Sequence, residues 1–232
     1  QIISKLVVAK LPRTIVLLMR NFIANFVRIL GICKDFAGNR VNELGNVPRC
    51  GVVPKFSDLE VVALGITAEA FGFDSENLLF HRLHHECKDD LPNLISRRQF
   101  NARRKLTARL AEEIRKDVRR EYHDCMMLAD KGYLSAEVQK NLFEVANITL
   151  EVPYRLNQKN WRPPVWAYRR FRKRIETIFS QLNDNLMMIR NYAKQSCGLF
   201  TRMAGKIAAM TFMQYVNFIN HRPIGQIKYS LI

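Results

Sequence analysis

The chain has 232 residues, 48% hydrophobic and 25% charged, long enough for one large domain or two modest ones with a real core. Thirty-seven Lys and Arg against 21 Asp and Glu leave a formal charge of +16, which points to polyanionic partners, nucleic acid ahead of a membrane surface. The composition excludes a disordered chain; five scattered cysteines without a C-x-x-C exclude a disulfide framework or zinc ribbon and fit a reducing cytosol; no apolar run reaches the roughly 18 residues of a bilayer span.

Residues 1–54 differ in pattern from the rest of the chain. From Arg13 to Cys33 the apolar spacing predicts a helix, either an amphipathic surface helix or an ordinary one packed on a neighbour. Its apolar run from Thr14 to Met19 is closed by Arg20, too early for a secretory signal. Residues 34–54, with three Gly, two Pro and four Asn or Asp, predict a loop or linker.

Ser57 with Glu60 forms an S-x-x-E capping box ahead of VVALGITAEAF, and Gly72 ends that helix. Asp74 and Ser75 open a shorter helix, ENLLFHRLHHEC. After the LPN turn, Ser96 with Gln99 forms a second capping box and starts a long helix running to about Arg120. Three helices with short turns over residues 55–120 give a helical, helix-turn-helix-like region. The first turns of the long helix are almost purely cationic. That is unfavourable for the helix dipole but suits a helix whose start meets phosphates, so Arg97, Arg98, Arg103 and Arg104 are the expected DNA contacts.

Past Tyr122 the period changes. CMMLA, within 124–129, predicts a short buried strand that stops at Asp130-Lys131-Gly132-Tyr133. Leu134 to Val145 is helical in period, and ITLEV (148–152) predicts a second strand. The loop RLNQKNWRPPVWAY leads into a helix from about Ala167 to Leu186. A last helix, Leu199 to Asn220, is apolar almost all round and is expected to be buried. Strand, helix, strand, helix is an α/β signature, here α-rich.

Three groups of residues could carry chemistry. Asp130 sits where an apolar strand meets a glycine turn, and Glu176 shares its helix with Ile175, Ile178 and Phe179; the ordinary alternatives are a turn aspartate and an ion pair with Arg172. From Arg155 to Ile175 there are eight basic residues and no acid, interleaved with aromatics. Lys159, Arg169, Arg170, Arg172, Lys173 and Arg174 suit phosphates, and Trp161 can stack on a base. After Asp184 the chain holds six Lys or Arg and no acid, which extends the positive surface. His81, His84, His85 and Cys87 cluster on one short helix but lack the glutamate and distant ligand pair of a zinc site.

Together, MLADKGYLS, PYRLNQKNWRPP, FRKRIETIFSQLND and RNYAKQSCGLFTRMAGKIAAM resemble the C-terminal half of bacterial insertion-sequence DDE transposases. KFSDLEVVALGITAEAFGFDSENLLFHRL and LPNLISRRQFNARR resemble their helical N-terminal region. The resemblance implies an RNase H-like domain over 121–232, with Asp130 as the second catalytic aspartate and Glu176 as the final glutamate. It also implies that both are metal ligands for Mg²⁺ or Mn²⁺. Two ions held by three carboxylates activate the attacking oxygen and stabilise the leaving one.

The chain departs from that pattern between the basic helix and the CMMLA strand. IRKDV runs straight into RREYHDCMMLAD, leaving no room for three strands and the first aspartate. The expectation is an incomplete RNase H-like domain with weak or absent metal binding. The leading reading is an inactive, transposase-derived DNA-binding protein of DNA transposition, located on the bacterial nucleoid in the cytoplasm. The alternatives are an active transposase whose missing carboxylate comes from elsewhere, and a repressor of transposition. The expected partner is DNA at transposon ends. A homo-oligomer is left open, and neither a membrane nor a small-molecule substrate is expected.

Overall fold

A computed structural model describes residues 13–119, 126–128, 135–147, 149–154, 156–157, 161–163, 167–190 and 193–231. The described chain is helix-rich, and its core is built around α2 (Asp58–Ala70). The sequence DLEVVALGITAEA is apolar on nearly every side, so this helix is stable only when covered all round. Every residue of it except Glu60 is buried. One cover is α1 (Arg13–Ala37), which buries Met19, Phe22, Phe26, Ile29 and Cys33. Those residues alternate three and four apart, the spacing that gathers side chains into one stripe. The N-terminal segment is therefore a helix packed on a neighbour.

Around α2 and α1 stand α3 (Glu76–Glu86), α4 (Arg97–Leu106), α5 (Ala108–Arg119) and α8 (Ser196–Ile219). Aromatic rings lock the joints. Phe22 meets Phe71 and Phe73 edge-on at 5.3 and 5.7 Å, and Phe80 on α3 meets Phe100 on α4 at 5.3 Å.

Helix starts follow the capping residues. Ser57 Oγ accepts from the Glu60 amide while the Ser57 amide donates to Glu60 Oε2; Ser96 and Gln99 repeat the arrangement at the start of α4. At its other end α2 closes in a Schellman motif. The Phe73 amide donates to the Ala68 carbonyl and the Gly72 amide to the Glu69 carbonyl, with Gly72 at φ +69°.

Two expectations are corrected. The helix from Ser96 is not continuous to Arg120 but breaks at Thr107, which lies at φ −88°, ψ 2°. Its amide and its hydroxyl both donate to the Arg103 carbonyl, and α5 starts afresh behind it. The break lets α5 turn Leu110, Ile114 and Val118 into the core. Nor is α8 buried all round. Ala208, Ala209, Phe212, Met213 and Val216 are interior, whereas Leu199, Phe200, Met203 and Ile207 are exposed along its first half.

Between α5 and α7 (Ala167–Asp184) the chain forms β1 (Met126–Leu128), α6 (Ala136–Ala146) and β2 (Thr149–Glu151). The two strands pair in parallel, with Met126 opposite Thr149 and Leu128 opposite Glu151. Among the described residues these are the strands of the sheet. Leu182 on α7 packs against the core and Leu186 just beyond it is buried, while Ile175, Ile178 and Phe179 further back are exposed. Gln181 Nε2 donates to the Gly225 carbonyl at 2.6 Å.

Candidate nucleic-acid interface

Charge is distributed between an inner and an outer set, and the inner set is structural. Asp58, fully buried at the start of α2, accepts from the Val47 amide, from Arg49 and, at 2.6 Å, from Arg103 Nη2. Arg103 Nη1 also donates to the Phe56 carbonyl. Glu69, 1% exposed near the end of α2, gathers three cations. Arg104 Nη2 donates to its Oε1 at 2.6 Å, and Arg202 Nε stands 3.6 Å from the same oxygen. Lys206 Nζ lies 2.8 Å from Oε2, an ion pair off the hydrogen-bond direction, and donates to the Leu186 carbonyl.

Burial alone would raise the Glu69 carboxyl. The charges of Arg104 and Lys206, 2.6 and 2.8 Å from the carboxylate, outweigh it and hold the group below its ordinary value. Arg103 and Arg104 thus stand differently from the sequence expectation. Their guanidinium groups are turned inward and committed to carboxylates, Arg104 reaching Glu76 as well as Glu69.

The outer set begins on α4, where Arg97 and Arg98 are exposed on the first turn. On α7 Lys173 and Arg174 are exposed; Arg169, Arg170 and Arg172 fall in the same basic run, with side chains outside the described set. Trp161 is 46% exposed and Lys159 lies outside the described residues. Spacing alone did not single out Lys105, Lys194 and Arg202, which line a groove of about 780 Å³ with Arg97 and Arg104 between α3, α4 and the start of α8. The acid-free stretch after Asp184 was the signal for two of them.

Of the expected carboxylate pair, Glu176 is exposed on α7 and Asp130 lies outside the described residues, as does their pairing. Asp117 on α5 is bound by Arg40 Nη2. His81 and His85 are exposed with rings 4.5 Å apart. Among the described residues no three His, Cys, Asp or Glu side chains come together as a metal site. No helix there is long and apolar enough to cross a membrane.

A family model for the transposase DDE domain matches residues 99–212, about half of the chain. The match takes in most of α4, all of α5, the β1–α6–β2 unit and α7, and α8 as far as Phe212. No curated protein and no solved structure matches the chain. With that domain spanning both the basic helices and the strand pair, the chain belongs to the DDE transposases.

Proposed function

We propose that this protein binds DNA at transposon ends and does not cut it. The reading is carried by the transposase DDE match, within which only six residues separate the end of α5 at Arg119 from the start of β1 at Met126. Three further strands, at five or six residues each, do not fit into six. The incomplete sheet lacks the strand that carries the first carboxylate in the family, and the two-stranded parallel pairing of β1 with β2 is consistent with that.

DNA affinity rests on the outer cations. Arg97 and Arg98 at the start of α4 make that helix the contact helix of a helix-turn-helix-like unit, α2 to α4. Lys173, Arg174 and the neighbouring Arg169, Arg170 and Arg172 provide a second basic stretch, and Trp161 a stacking face beside Lys159. Such a protein works on the bacterial chromosome, in the cytoplasm.

DDE transposases use divalent metal ions, Mg²⁺ or Mn²⁺ being the expected pair here. The described donor set does not suit a two-ion centre: Glu176 shares its helix with Lys173 and Arg174, and Asp117 is taken by Arg40. The test is nicking of a transposon-end duplex in Mn²⁺, alongside binding of the same duplex. Binding without nicking, unchanged in Asp130→Asn, is the expected result. Nicking that disappears in Asp130→Asn would make the protein an active transposase.

A further inference from the structure

The groove between the first turns of α3 and α8 and the length of α4 has no role in the DNA contacts just proposed beyond Arg97, although its chemistry is distinctive. Five cationic side chains line it: Arg97, Arg104, Lys105, Lys194 and Arg202. Arg104 and Arg202 are held at its base by Glu69, which also carries Lys206. One buried carboxylate thus serves three cations. Glu76 is occupied by Asn101 Nδ2 at 2.9 Å and by Arg104.

The side chains of Arg97, Lys105 and Lys194 make no hydrogen bond or ion pair among the described residues. Asp74 and Glu76 are the acids among the lining residues, and Glu76 is already paired. The first-turn amides of α8 lack a side-chain cap, in contrast to α3 and α4, whose starts are served by Ser75 and Ser96.

We infer that this groove is a subsite for the phosphodiester backbone of nucleic acid, with Arg97, Lys105 and Lys194 as its phosphate contacts. It rests on the DNA-binding reading and adds to it a defined surface. Arg97 and Lys105 stand eight residues apart on one helix, roughly 12 Å along its axis. That is too long for one phosphate and suits several along a strand, at ~3.4 Å of rise each. Lys194 closes the run from the opposite wall. A groove of about 780 Å³ is likewise larger than a single oxyanion requires. The ion-paired base supplies fixed positive charge without needing to move, while the three uncommitted side chains supply the contacts.

The experiment compares the full chain with a Lys105→Gln/Lys194→Gln variant, titrating a labelled duplex between roughly 50 and 200 mM salt. A Lys34→Gln/Lys228→Gln variant, altered at exposed sites outside the groove, controls for net charge. The groove variant should bind roughly tenfold more weakly, with the slope of log K against log salt reduced by about 2. The control should lose much less. Asp74→Asn should bind several-fold more tightly, a gain that misfolding cannot produce.

If the parent binds DNA and the groove variant weakens no more than the control, the subsite is wrong and the DNA-binding reading stands. If the parent binds no DNA, both fall. Inorganic phosphate provides the remaining arm: phosphate binding that the groove variant abolishes while DNA affinity stays at the control level would mean a free-anion site and overturn the proposal.

Discussion

Arg104 reaches Glu69 through a slot between two helices, and glycines make the slot. A Cβ added at Gly205 on α8 would stand 2.8 Å from Arg104 Nη2, whereas one at Gly65 on α2 would stand 3.5 Å from Nε, an ordinary contact. Gly205→Ala must therefore push the guanidinium off its carboxylate. The ~1–3 kcal/mol of overpacking outweighs the ~1 kcal/mol that alanine adds to a helix, for a net loss of about 1 kcal/mol by urea unfolding. Gly65→Ala keeps the helix gain and is expected to be neutral or stabilising.

Glu69 is the counter-ion for the whole cluster. Replacing it with Gln leaves Arg104, Arg202 and Lys206 facing a neutral amide and should cost about 3–5 kcal/mol. The pH dependence has a definite sign. A carboxyl held below its ordinary value of 4.5 contributes stability that is complete above that value and is lost as pH falls through the native one. The parent should therefore weaken on acidification from pH 5 downward. Glu69→Gln, already weak at neutrality, should show a shallower acid limb in the same unfolding series.

At the scale of elements, the starts of helices were legible and their continuity was not. Ser57-Glu60 and Ser96-Gln99 are local signals, two side chains closing on their own backbone, so three or four residues suffice to read them. The break at Thr107 has no such signature: neither Gly nor Pro stands there, and the helical period runs on through ARLAEEI. The inward turn of Arg103 and Arg104 was hidden for a related reason. A charged residue reads as exposed until the buried carboxylates that receive it, Asp58 and Glu69, are brought from 45 and 35 residues away.

Of the candidate site, the basic character of α4 and α7 was legible, and the wall contributed by Lys194 and Arg202 was not. It depends on α8 folding back against α3 and α4. The end of α8 offers a cleaner local test. His221, at φ +53°, occupies the left-handed position of a Schellman motif in which the Arg222 amide donates to the Asn217 carbonyl and the His221 amide to the Phe218 carbonyl. That conformation costs a residue with a Cβ ~1–2 kcal/mol, and glycine returns part of the gain as chain entropy. His221→Gly should raise stability by about 0.5–1 kcal/mol, read as an increased midpoint at unchanged denaturant slope.

Across the whole molecule, the transposase match and the folding unit do not coincide. Residues 99–212 hold most of α4, all of α5 and most of α8, yet α8 lays Ala208, Phe212 and Met213 into a core whose centre, α2, lies outside the match. A fragment of residues 99–232 would expose that interior face of α8 and leave Arg104 and Lys206 without Glu69. It should show no cooperative unfolding transition by circular dichroism, while the full chain shows one. A cooperative fragment would mean that the strand pair and α7 form a core of their own.

The distance between partners in that core also sets a timetable. Arg202 donates to the Phe73 carbonyl across 129 residues of chain. A ribosome adding ~5–20 residues per second leaves α2 in the cell for roughly ten seconds before α8, its last cover, exists. During that interval the face of α2 that α8 will cover stays open on the nascent chain, and Glu69 has Arg104 but neither Arg202 nor Lys206 as counter-charge. Chaperone dependence during synthesis is the expected consequence, read as a soluble yield that rises when chaperones are overproduced.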